Sequence, residues 1–430
     1  MPDAKSRTRA TNLLLQARRL RALGFLVPEP ARGVLRSILW RQAHFDIAPP
    51  TDLKPGVALV GYPRAEAGLG EALRLLAAAA EHAQIPFAAF DIGQLIQARQ
   101  NDRRMLEHIS SSLDREVNLF VVSLLYAAHS VRLLGPRALA GRRNILYPLW
   151  ELPEWPEAWA PQLASFDQIW APSRFIADAV GSRFHGPVVV LPPPMVLPPI
   201  PTCRRADFGL PSDRFLFYFF FDYSSFAARK NPQAVVVAFR RCAALMKPDS
   251  IGLVVKSMGE GYSQADRRHL AQLIGGADNI FPIDSVLDRA EMMGLQSVCD
   301  CFVSLHRSEG FGLGIAEAMA LGKPVVATNF GGAADLLAPD HACPIGHRLV
   351  PVAPGEYPGG KGQFWADPDI DEAVAAMRRI AEEPEYRRNL ASRALAFIGE
   401  YLGPSQIGAR MRQHLAGLAG EPAPSKGTER

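Results

Sequence analysis

From about residue 55 to about residue 400, the sequence alternates between short apolar runs and longer stretches with helical periodicity. GVALVGY at Gly56–Tyr62 has the length and β-rich composition of a buried strand, and the next stretch places Leu69, Leu73 and Leu76 on one helical face. Strands that alternate with helices join into parallel sheets covered by helices. The alternation therefore predicts an α/β protein. Further strands are predicted at FAAFDI, VNLFVVSLL, NILYPLW, QIWAPS and VVVLP, and later at RFLFYFFFDY, IGLVVKS, NIFPID, CFVSLHRS and PVVATNF.

A proline-dense segment, LPPPMVLPPIPTC at Leu191–Cys203, interrupts the alternation. Proline disrupts helix interiors and central strands, so this segment predicts a linker between two α/β halves. We expect two Rossmann-like domains that face a central cleft, with the ligand outside the carboxyl ends of the strands. The predicted division is a basic arm over 1–50, domains over 51–195 and 196–403, and a C-terminal helix with a disordered tail over 404–430.

The formal charge of +4 is unevenly distributed, because residues 1–45 hold nine Lys or Arg and only two acidic residues. Large apolar residues accompany these cations, which suits an anionic membrane surface. A solvated arm, or a helix packed on the body, fits the same pattern. Nucleic acid is disfavoured because the rest of the chain is slightly acidic and carries no nucleic-acid-binding motif.

The 430 residues include five cysteines and no C-x-x-C motif, so no disulfide framework is predicted and a cytoplasmic location is expected. Cys299 and Cys301 are expected to share one face of a strand as buried apolar residues. No apolar run is long enough for a transmembrane helix, and the N-terminus lacks a signal-peptide pattern. Any membrane contact is therefore expected to be peripheral, through the basic arm.

The segment HRSEGFGLGIAEAMALGKPVVATNFGG, residues 306–332, holds the densest chemical signal in the chain. A predicted strand leads through EGFG into a short apolar helix, whose first N–H groups near Leu313 and Gly314 can face an anion. Glu317 lies one turn inside that helix, where an ionised carboxylate needs hydrogen-bond donors. A vicinal diol, such as that of a ribose, could supply them, as could a neighbouring arginine.

Glu309 and Glu317 form an E-x7-E pattern, and this block resembles retaining glycosyltransferases of the two-domain GT-B fold, family 4. The resemblance extends through RKNPQAVVVAFRR and LVVKS and more loosely into the first half. It implies that Glu317 accepts hydrogen bonds from the nucleotide ribose and that Glu309 positions the transferred sugar. It also implies that Lys230 neutralises the diphosphate. The backbone of Gly310, Phe311, Gly312, Leu313 and Gly314 should contact the sugar or diphosphate, as should Gly68 and Gly70 in the first half.

The sequence departs from the resembled pattern at two positions. Many relatives have an arginine about five residues before the lysine, where this chain reads DYSSF. Arg229, and Lys256 at the end of LVVK, are the candidates to supply a second cation. Many relatives also have a catalytic histidine where this chain reads LWEL, and His129 is not clearly equivalent. Trp150 and Glu151 are the candidate acceptor-side residues, although core or interface packing is the more common role of such a tryptophan.

The resemblance implies an enzyme that moves a hexose-type sugar from a nucleotide-sugar to a glycan or lipid-linked acceptor, in surface polysaccharide synthesis. The first domain would bind the acceptor and the second the donor. No metal or other cofactor is expected, because Asp369 of the D-x-D at Asp367 and Asp369 reads as a helix cap. The main alternative is a non-catalytic GT-B subunit that binds a sugar nucleotide or glycan. A GT-B epimerase or phosphorylase is disfavoured, since no lysine has a recognisable pyridoxal-phosphate context.

Overall fold

The computed structural model describes residues 46–93, 96, 98–259 and 264–419. The predictions for residues 1–45 and for the tail beyond residue 419 lie outside the described residues. The described chain forms two parallel sheets, each flanked by helices, and so confirms the predicted fold class.

The first sheet has seven strands in the order β4-β3-β2-β6-β7-β8-β9, all parallel. Its strands are β2 (Lys54–Gly61), β3 (Phe87–Asp91), β4 (Ile109–Ser110), β6 (Arg115–Ser123), β7 (Arg143–Leu149), β8 (Gln168–Ala171) and β9 (Val188–Val190). Two short strands, β1 (Asp46–Ile47) and β5 (Ser112–Leu113), pair beside it. The helices of this half are α1 (Gly68–His82), α2 (Leu124–Leu134) and α3 (Arg174–Gly181).

The second sheet has six parallel strands in the order β12-β11-β10-β13-β14-β15. They are β10 (Phe215–Asp222), β11 (Ile251–Met258), β12 (Ile280–Ile283), β13 (Cys301–Ser304), β14 (Val325–Thr328) and β15 (Cys343–Ile345). The helices are α4 (Ala227–Lys230), α5 (Pro232–Ala243), α6 (Gln264–Ile274), α7 (Arg289–Val298), α8 (Leu313–Ala320), α9 (Ile370–Glu382), α10 (Pro384–Tyr401) and α11 (Pro404–Ala419). Leu191–Cys203 is neither helix nor strand and connects β9 to the second half.

Both faces of each sheet are buried, which explains why the strands read as continuous apolar runs. Along β6, Leu119 and Val121 belong to one core cluster, whereas Phe120 and Val122 belong to the cluster on the opposite face. Each is completely buried. The alternation that places successive side chains on opposite faces therefore builds two cores from one strand.

The structure of the second half tests the predictions for Asp369 and for the two neighbouring cysteines. Asp369 caps α9 by accepting a hydrogen bond from the Glu372 N–H at 3.0 Å, as predicted. Cys299 and Cys301 are both buried, also as predicted. Their placement on one strand is wrong, because β13 begins at Cys301 and Cys299 follows the last residue of α7.

An antiparallel hairpin of β16 (His347–Pro351) and β17 (Phe364–Pro368) follows the second sheet and was not predicted. Its strands carry exposed residues, including Leu349 and Phe364, so they lack the apolar runs that mark the other strands. The hairpin loop brings Tyr357 back to the core of the first half.

The C-terminal helix α11 returns to the first half of the chain. Ile407 and Met411 are fully buried in the core cluster that includes Leu73 and Leu76 of α1. Gly408 makes this approach possible, since a Cβ there would lie 2.6 Å from the carbonyl oxygen of Ala79. Among the described residues, none of the helices is both long and apolar enough to cross a bilayer.

Replacing Ile407 with alanine should destabilise the first half, because the cavity would open in the α1–α11 contact. We expect the free energy of unfolding to fall by about 2–5 kcal/mol, measured by urea unfolding with tryptophan fluorescence. Leu395→Ala removes an apolar side chain that is 49% exposed, and this control should change stability by only about 0.5 kcal/mol. Equal effects would show that α11 is not packed as described.

Candidate functional site

The candidate site lies where the carboxyl ends of strands from the two sheets face each other. Ser173, just after β8, donates a hydrogen bond from Oγ to the carbonyl oxygen of Gly310 at 2.6 Å. The N–H of Arg174 donates to the carboxylate of Asp335 at 2.8 Å. The first bond joins the first half of the chain to the turn that follows β13, and the second joins it to the segment that follows β14, so both halves form the walls of one cleft.

Glycines let the turn between β13 and α8 approach its neighbours closely. Gly312 caps α8 with φ of 93°, in the left-handed region that disfavours side chains. The N–H of Gly332 donates to the carbonyl oxygen of Glu309 at 2.6 Å. A Cβ on Gly332 would lie only 1.8 Å from the carbonyl oxygen of Gly310, and one on Gly310 would lie 2.5 Å from that of Trp150. The predicted EGFG turn is thus clamped between two backbone segments.

Glu309 faces two cations from the α4 segment. Lys230 donates from Nζ to one carboxylate oxygen at 2.5 Å, and Nη1 of Arg229 lies 3.0 Å from the other. The Glu309 side chain is only 14% exposed. Burial acts to raise the pKa of its carboxyl, but the charges of Lys230 and Arg229 outweigh it and hold the pKa well below its usual value. Burial lowers the pKa of the Lys230 ammonium, and the negative charge of Glu309 partly offsets this lowering.

Arg229 connects this ion pair to the acceptor-side candidates of the first half. It is 3% exposed and donates from Nη1 to the carbonyl oxygen of Ser308 at 2.9 Å. Its Nη2 lies 3.9 Å from the carboxylate of Glu151, which also accepts a hydrogen bond from the hydroxyl of Tyr357. Burial, with Glu151 beside it, raises the pKa of Tyr357 well above 10.0, so this phenol stays a donor. Tyr357 was not predicted from the sequence, because this residue follows a strand that was itself not predicted.

Trp150, named from the sequence as an acceptor-side candidate, is completely buried. Its indole N–H donates to the carbonyl oxygen of Glu154 at 3.1 Å, and its ring packs edge-on against Trp159 and Tyr357. In this structure Trp150 is a core residue that holds Glu151 and the Gly310 turn in place.

Glu317 is 5% exposed and accepts hydrogen bonds from two side chains of α7. Nη2 of Arg289 lies 2.6 Å from one oxygen, and Nε2 of Gln296 lies 3.3 Å from the other. The same Nη2 lies 3.5 Å from Glu71 of α1. The sequence is compatible with either a diol or an arginine as the partner of Glu317, and here the partner is Arg289. The only sequence signal for Arg289 is its place after Asp288, which caps α7.

The remaining predicted residues occupy different surroundings. A Cβ on Gly68, the first residue of α1, would lie 3.9 Å from the side chain of Leu313, so Gly68 faces the start of α8. A Cβ on Gly70 would lie 2.2 Å from the carbonyl oxygen of Ala65, so this glycine packs the loop before α1. Lys256 is buried in β11, where it donates to the carbonyl of Ser257, and burial lowers its pKa.

Three further residues line the same turn and helix. Phe311 is buried in the core of the second half, and Gly314 packs against Phe220, to which a Cβ would come within 2.9 Å. His306 is completely buried, with Nε2 3.2 Å from the carbonyl oxygen of Phe330, and burial lowers its pKa. Within the described part of the chain, no group of three or more His, Cys, Asp or Glu side chains is arranged to hold a metal ion.

The fold is similar to solved structures of GT-B proteins over most of the chain. HepE (Alr3699) from Anabaena, in complex with UDP and glucose, matches with a TM-score of 0.59 and 16% identity, covering 85% of this chain and 100% of that one. Sucrose-phosphate synthase from Thermosynechococcus elongatus matches with a TM-score of 0.63 and 16% identity, over 85% and 99% of the two chains. The protein therefore has the GT-B fold, with two Rossmann-like domains that face a cleft.

The chain also has relatives by sequence. Residues 206–396 match the family described as Glycosyl transferases group 1. Over 117 residues the chain is 32% identical to MMP alpha-(1->4)-mannosyltransferase from Mycolicibacterium hassiacum. That alignment spans 27% of this chain and 24% of the relative's length. The likeness to glycosyltransferases thus includes the segment that holds Lys230, Glu309 and Glu317.

Replacing Gly332 with alanine should disrupt the clamped turn, because the new Cβ would meet backbone and cannot be relieved by a side-chain rotation. We expect a loss of roughly 1–3 kcal/mol in the free energy of unfolding, measured by urea denaturation. Gly181→Ala is the control, since nothing lies within 4 Å of a Cβ at that helix end. An unchanged Gly332→Ala variant would contradict the close approach of the two loops.

Glu71 should make the stability of the protein depend on pH. Burial acts to raise its pKa, but Arg289, Arg104 and Arg74 outweigh it and lower the pKa from 4.5 to about 2. A depressed pKa means that the carboxylate stabilises the fold above pH 4.5 and that this contribution is lost as the pH falls toward about 2.

Glu71→Gln should therefore be less stable than the wild type by about 1–3 kcal/mol at pH 7. The gap should narrow between pH 4.5 and pH 3, as measured by urea unfolding at a series of pH values. A gap that stays constant over that range would rule out an ionised Glu71 as its source.

Proposed function

We propose that this protein is a retaining, nucleotide-sugar-dependent glycosyltransferase of family 4. The observation that carries the proposal is the pairing of the partly buried Glu309 carboxylate with Lys230 at 2.5 Å and with Arg229 at 3.0 Å, beside the start of α8. Cations and the N–H groups at the start of α8 together suit an anion. A nucleoside diphosphate is an anion that gains negative charge as it leaves the sugar, so it fits such a site. The likeness of residues 206–396 to group 1 glycosyl transferases supports the same reaction class.

In the proposed complex, the donor lies mainly on the second half of the chain. Glu317 accepts hydrogen bonds from the ribose hydroxyls, and the backbone from Gly310 to Gly314 contacts the sugar or the diphosphate. Lys230 and Arg229 neutralise the diphosphate, so no metal ion is required. HepE is described in complex with UDP and with UDP-glucose, which favours a nucleoside diphosphate sugar as donor.

The proposed reaction replaces one bond to the anomeric carbon with another on the same face. The acceptor hydroxyl oxygen bonds to the anomeric carbon while the bond from that carbon to the diphosphate oxygen breaks. The hydroxyl proton passes to the departing phosphate oxygen, so the products are a glycoside and a nucleoside diphosphate. Negative charge grows on the leaving phosphate, where fixed cations stabilise the transition state. Glu309 holds the transferred sugar in position.

The acceptor is proposed to approach from the first half of the chain, beside Glu151. A glycan or a lipid-linked saccharide, extended in surface polysaccharide synthesis, is the acceptor class we propose. The relative named MMP alpha-(1->4)-mannosyltransferase transfers mannose according to its name. Mannose is a hexose, which favours a hexose as the transferred sugar. We further propose a cytoplasmic protein, with the basic arm as its contact with the inner face of the membrane.

A second candidate function is a non-catalytic GT-B subunit that binds a sugar nucleotide or glycan for a partner. Many family members have a catalytic histidine around the place where this chain reads LWEL, and this departure favours the second candidate. Incubation with a panel of nucleotide sugars, with and without glycan acceptors, separates the two. Release of nucleoside diphosphate supports the enzyme, whereas binding without turnover of any donor supports the subunit.

Glu317→Ala should raise the donor KM by roughly 10–100-fold, because a charged hydrogen-bond acceptor of the ribose is lost. The measurement is nucleoside diphosphate release at varied donor concentration. Glu382→Ala removes a carboxylate of the same half that is 43% exposed and pairs with Arg378, and it should leave KM unchanged. Equal KM values for the two variants would refute the ribose role of Glu317.

A further inference from the structure

Arg289 contacts carboxylates from both halves of the chain. Its Nη2 lies 2.6 Å from Glu317 of α8 and 3.5 Å from Glu71 of α1. Its Nε is buried and has no hydrogen-bond partner among the described residues, so these two contacts do not saturate the guanidinium. One side chain thus bridges the cleft at the carboxylate proposed to bind the ribose.

The position of Arg289 is unfavourable for its own helix. It is the first residue of α7, where the helix dipole places partial positive charge. A cation at that end is disfavoured by the helix dipole. Helix formation therefore does not explain an arginine at this position, whereas the two carboxylates beyond the helix do.

Each carboxylate is also held within its own half. Glu71 accepts hydrogen bonds from Arg74 at 2.8 Å and from Arg104 at 2.6 Å, and Arg104 is held by Asp102 at 2.6 Å. Gln296 holds the other oxygen of Glu317 at 3.3 Å. Because both acceptors are fixed, the distance between α1 and α8 decides whether Arg289 can reach both.

The cluster also lies beside the linker between the halves. Glu71, Arg74 and Arg104 line a cavity of about 330 Å³, and Val196–Pro199 of the linker lines it too. A change in the angle between the halves would alter the space beside Glu71, and with it the contact between Glu71 and Arg289.

We propose that Arg289 is a positioning residue that orients Glu317 for the nucleotide and links donor binding to the contact between α1 and α7. This inference rests on the proposed function, because it takes Glu317 as the ribose carboxylate. Linkage is reciprocal, so a nucleotide that tightens the Arg289–Glu317 pair also strengthens the bridge to Glu71. Glu71 then affects nucleotide affinity through Arg289 without touching the nucleotide.

The test is calorimetric binding of UDP, GDP and ADP to the full chain and to its variants. Arg289→Gln should weaken binding of the nucleotide that the wild type prefers by roughly 10–100-fold, the loss of a charge-assisted interaction. Glu71→Gln should weaken it by a smaller factor, roughly 3–10-fold. The double variant should bind no more weakly than Arg289→Gln alone, because both changes break one bridge.

Arg214→Gln is the matched control. Arg214 pairs with Asp249 at 2.7 Å in the same half, but it precedes β10 and so lies at the amino edge of the sheet, away from the cleft. If the role of Arg289 were merely structural, Arg289→Gln and Arg214→Gln would both have a lower unfolding temperature, and their nucleotide affinities would be equal. Arg289→Lys provides a second, charge-retaining variant, whose single ammonium should restore part of the affinity but lose the coupling to Glu71.

The outcomes are distinguishable. Absence of binding of all three nucleotides to the wild type would overturn the proposed function and this inference together. Binding to the wild type with equal affinity in Arg289→Gln and Arg214→Gln would overturn the inference alone. If the affinity of the double variant fell by the product of the two single-variant factors, the bridge to Glu71 would be overturned, since independent sites contribute additively to the free energy.

Discussion

The ionised carboxylate of Glu309 is partly buried, and the geometry of the cleft depends on the two cations that compensate it. Without these cations, burial would raise the pKa of the Glu309 carboxyl. Arg229 does more than supply charge, because it also binds the carbonyl of Ser308 and reaches toward Glu151 of the first half. The same guanidinium thereby fixes the start of the glycine turn and relates the two halves to each other.

The second charged cluster repeats this arrangement at Glu317. Arg289 compensates a buried carboxylate and, at the same time, contacts a residue of the opposite half. Both clusters therefore combine local charge balance with contact across the cleft. Such contacts are sensitive to small changes in the angle between the halves, since Coulomb energy falls with distance and rises in a low-dielectric cleft. Glycines at the turn remove the side chains that would keep these groups apart.

Apolar patterning predicted most of the fold, because strands of a doubly covered parallel sheet are buried on both faces and read as continuous apolar runs. Strand β16 escaped prediction for the opposite reason, since most of its residues are exposed. The contact of α11 with α1 was also hidden. Ile407 and Met411 mark an apolar helical face, but a periodicity does not state which surface that face will cover.

The sequence by itself determined the local elements of the site. Glu309 and Glu317 are placed by the turn and by α8, because glycine tolerance and helical spacing act between near neighbours in the chain. Only the tertiary structure decided their partners. Arg229 reaches Glu309 because β10 and β13 are adjacent in the sheet, and Arg289 reaches Glu71 because the two halves face each other. Pairing between side chains that are far apart in the sequence depends on how the layers pack, and local periodicity does not specify that packing.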